Sequence, residues 1–506
     1  MQDCLSRLKE LKELKKLKKL KKLKELKKLK KLKKLKKLKE LKELKELKKL
    51  KKITNHINFS TMKKYLNLSV AVLLGALTLT ACSESNDSDN EESGFNIVKT
   101  APLTDEDSYP LNTLDGNYSQ KQFGQTAMDD CDELGSQLVK ANATIAKAQL
   151  NSQQEAFLYK VLENLVDNVI VPTYKQLADN TEDLEKTLHG LTAANITQAQ
   201  IDKACTDFKA ARLYWERSEA FLGGAAADFD IDPTIDSWPL NRSLLQTYLQ
   251  SGRTDFSEEE IEDATILGFH ALEFLLFRNG QPRKAAEFQT NDTYKGFEQI
   301  SGASELAYAQ RICTLLKERT FQLQVAWEGE KDAARTAVVK AAGLEYQTEK
   351  GLSFGDNMKQ AGKSSKSTFA SLTDAIAQVL SDDEGSCFAI CNEVGTAKIA
   401  NPFANADIAY VESPYSYNSI TDFRDNIRSI RNVWLGSTDK TANDFSFHTF
   451  FASVGSQSMN TSLEQSYVNA ISAISNMPAP FVKYCSVVWG KDFDDPDNWE
   501  STSGEE

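Results

Sequence analysis

Apolar positions recur with the period of an α-helix along most of the chain after residue 117. Between residues 152 and 190, for example, Val161, Leu162, Leu165 and Val169 fall on one helical face. Segments that alternate apolar and polar positions, as a half-buried strand does, are few. The pattern predicts an all-α protein with helices at residues 118–148, 152–190, 197–222, 242–250, 258–279, 303–328, 331–345, 365–381, 420–435 and 461–475.

These helices are enough to build two hydrophobic cores, as expected for a chain of 506 residues. We predict two packed helical bundles, residues 118–300 and 301–490, followed by a polar tail at 491–506. Pro172 falls inside the second predicted helix and should kink it, because proline lacks the N–H that a helix interior needs.

One predicted helix, around Leu267–Phe277, carries two polar residues on an otherwise apolar surface. His270 and Glu273 lie three residues apart and share a face. A helix that is apolar nearly all round is buried, and a buried imidazole or carboxylate needs a partner. The two side chains could ligate one metal ion from adjacent turns, or they could hydrogen-bond to each other and order a helix contact.

The same stretch contains the pattern Gly-x-His-x-x-Glu, and four other segments accompany it in a fixed order. With them, the chain resembles the imelysin family over most of residues 150–480. The resemblance implies two helical bundles, an envelope location in bacteria, a link to iron uptake, and the metallopeptidase activity for which the family was named. The four segments are Val169–Tyr174, Trp215–Glu219, Asp236–Pro239 and Asp425–Ile430.

The resemblance also points to a changed order of helices. Members of the family usually end with a long helix, whereas the chain after Tyr484 is polar and holds a helix breaker, Pro496. An additional helix, Thr126 to Ala148, precedes the usual start. We hypothesise a circular rearrangement, in which this N-terminal helix packs into the second bundle through Leu134 and Leu138.

The first 61 residues follow a different pattern from the rest. Leu recurs at every third position of residues 8–50, and a period of three does not match the 3.6 residues of a helical turn. No continuous apolar face forms. We therefore interpret residues 1–61 as a low-complexity Leu/Lys leader that is not native, with the true start at Met62.

Residues 62–81 have the pattern of a lipoprotein signal peptide. Two lysines precede an apolar run, 66–79, that is too short to span a bilayer in the usual way. The run ends in Leu79-Thr80-Ala81-Cys82, which is similar to a bacterial lipoprotein cleavage box. We predict a lipid anchor on Cys82, a tether over residues 82–117, and a location on the periplasmic or cell-surface face of the outer membrane.

Charge separates the same two parts of the chain. Residues 1–81 carry 27 Lys+Arg and 7 Asp+Glu, whereas the remainder carries 34 and 65. A body this acidic disfavours nucleic acid as a partner, because such binding rests on neutralising phosphates. It suits a cation as ligand, or simply a soluble surface.

Six cysteines follow Cys82, and disulfides are permitted outside the cytoplasm. Sequence alone does not choose among their pairings. Cys387 and Cys391 lie in a Gly/Ser-flanked segment that reads as non-helical, so a local disulfide between them is one interpretation.

A metal site at His270 and Glu273 needs further ligands. Glu219 is the best additional carboxylate, and a carboxylate-rich site suits iron or another hard divalent cation. A zinc site with two histidines would have to recruit His189 or His448. The chain has no His-Glu-x-x-His pattern, so the standard metallopeptidase apparatus is absent.

Other polar residues are candidates for binding a ligand at a cleft between the bundles. Asp232 and Trp238 belong to an Asp-rich loop that could cap a site, although such residues also make turns. Arg groups could hold a carboxylate-bearing ligand or form inter-domain salt bridges instead. The remaining candidates are Arg217, Arg424, Asn426 and Ser429.

The predicted function is a cell-envelope lipoprotein that binds a metal ion or a metal-bearing ligand at the inter-bundle cleft. The resemblance places it in iron uptake, with other iron-uptake envelope proteins as partners. A metallohydrolase that uses Glu273 as its catalytic residue is one alternative. An adhesion or scaffold protein without a small ligand is the other.

Overall fold

α-Helices make up most of the computed structural model, which describes residues 110–113, 120–253, 255–261, 263–404 and 410–485. All of these residues belong to one compact unit, Asn90–Glu506. The leader, the signal peptide, Cys82 and the tail 491–506 lie outside the described residues. The all-α fold class is confirmed. The α-helices are α1 (Gln120–Lys147), α2 (Ser152–Leu165), α3 (Val171–Leu188), α4 (Gln198–Glu216), α5 (Ala225–Asp228), α6 (Ile231–Ile235), α7 (Arg242–Gln250), α8 (Gly268–Leu276), α9 (Gly302–Glu328), α10 (Ala333–Ala341), α11 (Phe354–Lys359), α12 (Leu372–Leu380), α13 (Cys387–Glu393), α14 (Asn401–Ala404), α15 (Ser419–Leu435), α16 (Phe447–Ser453), α17 (Gln457–Ser475) and α18 (Phe481–Cys485).

Shorter elements connect these helices. A two-stranded antiparallel ribbon, β1 (Phe277–Arg278) and β2 (Gln281–Pro282), follows α8. The 3₁₀ turns are Glu219–Phe221, Glu258–Glu260, Ala264–Ile266 and Ala285–Gln289, and the π-helical segments are Val166–Ile170 and Val394–Ala400.

The junction between α2 and α3 shows how the chain accommodates Pro172. Proline cannot donate the helical hydrogen bond and crowds the carbonyl four residues earlier. The backbone responds with the π-helical segment Val166–Ile170, and α3 then begins with Pro172 in its first turn. The Thr173 hydroxyl donates to the Val169 carbonyl at 2.7 Å. The irregularity expected from sequence is thus a π segment placed just before the proline.

Packing divides the helices into two groups that share one hydrophobic core. In the first group α9 packs mainly against α3, α8 and α10, and α3 packs against α4. In the second group α17 packs against α1 and α15. Helix α15 also contacts α4 and the turn Glu219–Phe221, so it joins the two groups. The boundary at residue 300 stays a prediction, and α9 begins just after it while packing on helices that precede it.

The N-terminal helix α1 packs mainly against α17, α13 and the segment Val394–Ala400. All of these partners lie after residue 380. Leu134 and Leu138 are fully buried, as their stripe predicted. The circular rearrangement relative to other family members stays a prediction.

Two local interpretations change with the structure. The helix expected over 258–279 covers only Gly268–Leu276, because extended residues such as Asp263 and Leu267 interrupt the segment before it. The segment around Cys387 and Cys391 is helical, since Ser386 caps α13, and both thiols are buried and free.

Candidate functional site

The site begins with a close backbone contact at Gly268. This residue has φ +64°, and a Cβ at this position would lie 2.0 Å from the carbonyl oxygen of Ile235. Only glycine tolerates both the dihedral and the approach. The contact brings Asp236, the residue after Ile235, against the first turn of α8. There, Oδ1 of Asp236 lies 3.2 Å from Nε2 of His270. The glycine of the motif therefore positions the partner of the histidine.

Asp236 contacts two further groups besides His270. Arg212 donates from Nη1 to Oδ1, and the Trp215 indole donates to Oδ2 at 2.6 Å. Burial alone would raise the pKa of Asp236, but the Arg212 charge and His270 lower it below its ordinary value. Asp236 is therefore an ionised carboxylate beside a buried imidazole.

Glu412 supplies a second carboxylate from a distant part of the chain. Its Oε1 accepts from Arg212 Nη2 at 2.5 Å and from Lys398 Nζ at 2.9 Å. Lys398 lies in the π-helical segment Val394–Ala400 and is fully buried. The other oxygen of Glu412, Oε2, is buried and makes no hydrogen bond to any described residue.

Two further carboxylates surround the same cations. Glu216 Oε1 lies 2.5 Å from Arg212 Nη2, and Asp422 Oδ2 lies 3.9 Å from Arg212 Nε. Burial raises the pKa of Asp422 to about 7 and that of Glu216 well above its ordinary value. Arg212 and Lys398 are thus too few to balance the buried acids around them.

Asp236, His270 and Glu412 form a group that could hold a metal ion. All three are buried, and their donor atoms lie within 4.8 Å of one another. Ligand bonds of about 2.1 Å allow two donors to lie up to about 4.2 Å apart, and Asp236 and His270, at 3.2 Å, already meet that limit. One imidazole and two carboxylates suit iron, zinc or manganese. Arg212 already contacts both carboxylates, so a metal would share them with the guanidinium.

Glu273 lies outside that group. Its Oε1 accepts from the backbone N–H groups of Tyr415 and Ser416 at 3.0 and 2.7 Å and from the Ser416 hydroxyl at 2.7 Å. Its Oε2 is buried without a hydrogen bond within the described chain. Burial raises the pKa of Glu273 despite the charge of His270 and the bonds from Ser416. The carboxylate anchors the segment that follows Glu412, and it does not hydrogen-bond to His270.

Three predicted residues, Glu219, Asp232 and Trp238, line a cavity of about 220 Å³ together with Asp236 and Glu393. The Trp238 ring lies 6.5 Å from the His270 ring, centroid to centroid. The predicted ligand Glu219 is therefore near the group but faces this cavity. Its role as a metal ligand stays a prediction.

Asn426 and Ser429 point from α15 toward the end of α4. Asn426 donates from Nδ2 to Glu216 Oε2 at 2.5 Å, and Ser429 Oγ accepts from the Ala220 amide at 3.1 Å. These contacts bring the polar face of α15 to the site, where Asn426 holds Glu216. The proposed contacts of Asn426 and Ser429 with a ligand stay predictions.

Arg217 and Arg424 also have partners within the protein. Arg217 donates from Nε to Asp425 Oδ1 at 2.9 Å. Arg424 is buried and lies 3.5 Å from the Thr421 hydroxyl. Their proposed contacts with a ligand stay predictions.

The other two histidines of residues 110–485 lie elsewhere. His189 is exposed at the end of α3. His448 is buried in α16, and its Nε2 lies 2.8 Å from Glu464 Oε1. Neither belongs to the group around His270, so a site with two histidines does not form there among the described residues.

Sequence reasoning missed four residues of the site: Arg212, Lys398, Glu412 and Asp422. Arg212 could have been found, because Arg and Glu four residues apart in α4 can pair on one helical face. Lys398 and Glu412 had no local signal. They reach the site only through the packing of distant segments.

Comparison with known proteins agrees with this architecture. The family model of imelysin (Peptidase_M75) matches residues 170–497. Iron-regulated protein A of Synechococcus elongatus is 26% identical over 278 residues, which are 55% of this chain and 64% of that protein. The chain thus matches slightly less than two thirds of that relative's length.

Two solved structures are also similar. A protein described as an iron-regulated protein A precursor from Parabacteroides distasonis superposes with a TM-score of 0.50 at 23% identity, covering 66% of this chain and 97% of that one. An imelysin-like protein from Psychrobacter arcticum gives 0.42 at 12% identity, covering 70% and 91%. The first of these likenesses supports the fold.

Within the described residues, no helix has the length and apolar character needed to cross a bilayer. The imelysin match includes α4, α8 and α15, the helices that carry Arg212, His270 and Asp422. Since it covers well over half of the sequence, this chain belongs to the imelysin family.

Proposed function

We propose that this protein is a lipid-anchored envelope protein that binds iron or another divalent metal ion between Asp236, His270 and Glu412. The observation that carries the proposal is the composition of this buried group. It places one imidazole and two carboxylates within 4.8 Å, with an excess of carboxylates around Arg212 and Lys398. A bound cation would relieve that excess, because buried carboxylates without a counter-charge are costly.

The proposed role in iron uptake rests on kinship. The curated relative and one solved structure are both called iron-regulated. The lipid anchor on Cys82 and contacts with other envelope proteins extend the proposal from the sequence. A Cys82→Ser variant should lose the lipid-dependent partition into detergent, and unchanged partition would contradict the anchor.

The metal site can be tested on the purified full chain. Wild type should retain at least about one equivalent of metal after equilibration with Fe²⁺, Mn²⁺ or Zn²⁺ and desalting, as measured by elemental analysis. His270→Ala and Glu412→Gln should each retain about one equivalent less, because each removes one donor of the group. His448→Ala is the matched control, since His448 is also buried against a carboxylate.

Wild type without stoichiometric metal, or with the same content as His270→Ala, would overturn the proposal. Equal loss in His448→Ala would point to misfolding as the cause of the loss. Circular dichroism of each variant separates that outcome from a specific effect on the site.

A further inference from the structure

Two adjoining cavities lead from the site toward the protein surface. The smaller, about 220 Å³, reaches Asp236 and Trp238, and the larger, about 450 Å³, extends to Asp383 and Glu384. Among the described residues, neither cavity is lined by a Lys or Arg. The wall that they share is formed by Glu219, Leu222, Asp232, Pro233 and Glu393.

Glu219 is the unusual member of this wall. It is 4% exposed, yet its carboxylate makes no hydrogen bond or ion pair within the described chain. Buried Glu273, by contrast, accepts three hydrogen bonds, and Asp236 accepts from Arg212 and Trp215. A buried carboxylate that faces a cavity without a protein partner is expected to meet a ligand or a cation there.

The neighbours of Glu219 add negative charge to the same wall. Asp232 is half-buried and the Glu393 side chain is 37% exposed, and both line the two cavities beside Glu219, whose pKa burial raises well above its ordinary value. The nearest cation is Lys398, 3.5 Å from Glu393 but also bound to Glu412 at 2.9 Å. A divalent cation would supply the charge that these three carboxylates lack.

We propose that Glu219, Asp232 and Glu393 form a second, outer cation site, distinct from the inner group of Asp236, His270 and Glu412. Its ligand is a hydrated divalent cation, because about 220 Å³ leaves room for several water molecules beside three carboxylate donors. Its further role, as the stage from which a cation passes to the inner group, rests on the proposed function. The site itself does not.

Terbium(III) luminescence offers a direct test on the full chain. Trp238 lines the smaller cavity and Trp215 contacts Asp236, so an indole lies near each site and can sensitise bound Tb³⁺. Titration of wild type should show two classes of site. The variant Glu219→Gln/Asp232→Asn should lose one class and keep the other, and cation uptake by the remaining class should slow about tenfold or more.

The substitutions are isosteric and mimic the protonated acids, so they should fold. The matched control is Glu345→Gln/Glu349→Gln, which removes the same charge from a separate cavity of about 860 Å³ beside Trp327. This control should keep both classes. If the double variant fails to fold, Glu219→Gln alone serves in its place.

The outcomes separate this inference from the proposed function. His270→Ala should remove only the inner class. If it removes both, or if Glu219→Gln/Asp232→Asn changes nothing, the outer site is wrong. If wild type shows the outer class alone, the outer site stands and the inner group is overturned.

Discussion

Two buried ion networks in this protein differ in their balance of charge. In the first, Arg283 lies 2.9 Å from Glu305 and 3.6 Å from Asp292, and Arg278 lies 2.8 Å from Asp292. Two cations meet two buried carboxylates, and Arg283 also lies 3.1 Å from the partly exposed Glu287. The buried charges of this network balance within the protein, and the network links the β1–β2 ribbon to α9.

The second network has the same kind of members in a different ratio. Arg212 and Lys398 are its only cations among the described residues, and an imidazole, His270, stands at its edge. The buried carboxylates that these cations contact within 4 Å are Glu216, Asp236, Glu412 and Asp422, and the partly exposed Glu393 also lies 3.5 Å from Lys398. Burial and ion pairing are common to both networks. What separates them is the surplus of acid beside an imidazole, and that surplus is the argument for a cation.

The largest expected effect comes from removing the central cation of each network. Arg212→Met should cost about 3–5 kcal/mol of unfolding free energy, because it leaves several buried carboxylates facing Lys398 alone. Arg283→Met should cost less, since Arg278 remains beside Asp292. Urea denaturation of both variants measures the difference.

Added Mn²⁺ sharpens this contrast. At about 100 times its dissociation constant it should return about 2.7 kcal/mol to Arg212→Met. At the same Mn²⁺ concentration the gain in Arg283→Met should be smaller, because its intact Arg212 still competes with the ion for Asp236 and Glu412. Equal gains in both variants would show that Arg212 does not compete with the cation, and no gain in either would contradict the metal site.

Each network is also built against a glycine, and the two glycines give the next effect. A Cβ at Gly268 would lie 2.0 Å from the Ile235 carbonyl oxygen, and one at Gly302 would lie 2.3 Å from that of Glu287. Gly268→Ala and Gly302→Ala should each cost about 2–4 kcal/mol through strain and overpacking. Only Gly268→Ala should also weaken metal binding, as measured by calorimetric titration, because it displaces Asp236. Loss of binding in Gly302→Ala would break the comparison.

The pH dependence of stability gives a smaller effect. The pKa of Asp422 in one network and of Glu305 in the other is raised to about 7 by burial. An acid whose pKa is raised on folding stabilises the fold below its unfolded pKa of about 4, and this contribution is lost as pH rises to 7. Unfolding free energy without metal should therefore fall across pH 4–7.

Asp422→Asn and Glu305→Gln should each reduce the fall in unfolding free energy between pH 4 and pH 7 by about 1–2 kcal/mol. The stabilisation by a divalent cation should grow over the same window, because the ion competes with protons for carboxylates. Denaturation curves at several pH values, with and without Mn²⁺, measure both. The cation-dependent part should persist in Glu305→Gln and vanish in His270→Ala.

The smallest effect concerns Glu273. Glu273→Gln keeps the acceptor oxygen for Tyr415 and Ser416, so it should change unfolding free energy by less than about 1 kcal/mol and leave metal content intact. Glu273→Ala removes the acceptor for three hydrogen bonds and should cost about 2–4 kcal/mol. Loss of metal in Glu273→Gln would instead identify Glu273 as a ligand.

Much of the fold could be read from the sequence because its helices are amphipathic. The helix predicted at 242–250 has those bounds in the structure, and 303–328 differs by one residue. Over residues 258–267 the predicted helix does not form, because the apolar residues of this segment lie on extended and 3₁₀ backbone. Helices α11, α13 and α16 were missed because each is only six or seven residues long.

The sequence predicted the burial of two residues of the candidate site but not their partners. An apolar helix with one imidazole indicated that His270 and Glu273 would be buried, and both are. Their spacing suggested a shared ligand, but each side chain takes a different partner: Asp236 for His270 and Ser416 for Glu273. Two side chains on one helical face can still diverge when different segments pack against that face.

The sequence by itself determined that this chain is helical and that an imidazole and an acid lie inside it, since periodicity and the cost of burying polar groups are local properties. Only the tertiary structure decided which residues meet them. Glu412 reaches His270 from 142 positions away, and Asp236 reaches it through the close contact at Gly268. No local pattern encodes such encounters, because they depend on how distant helices pack.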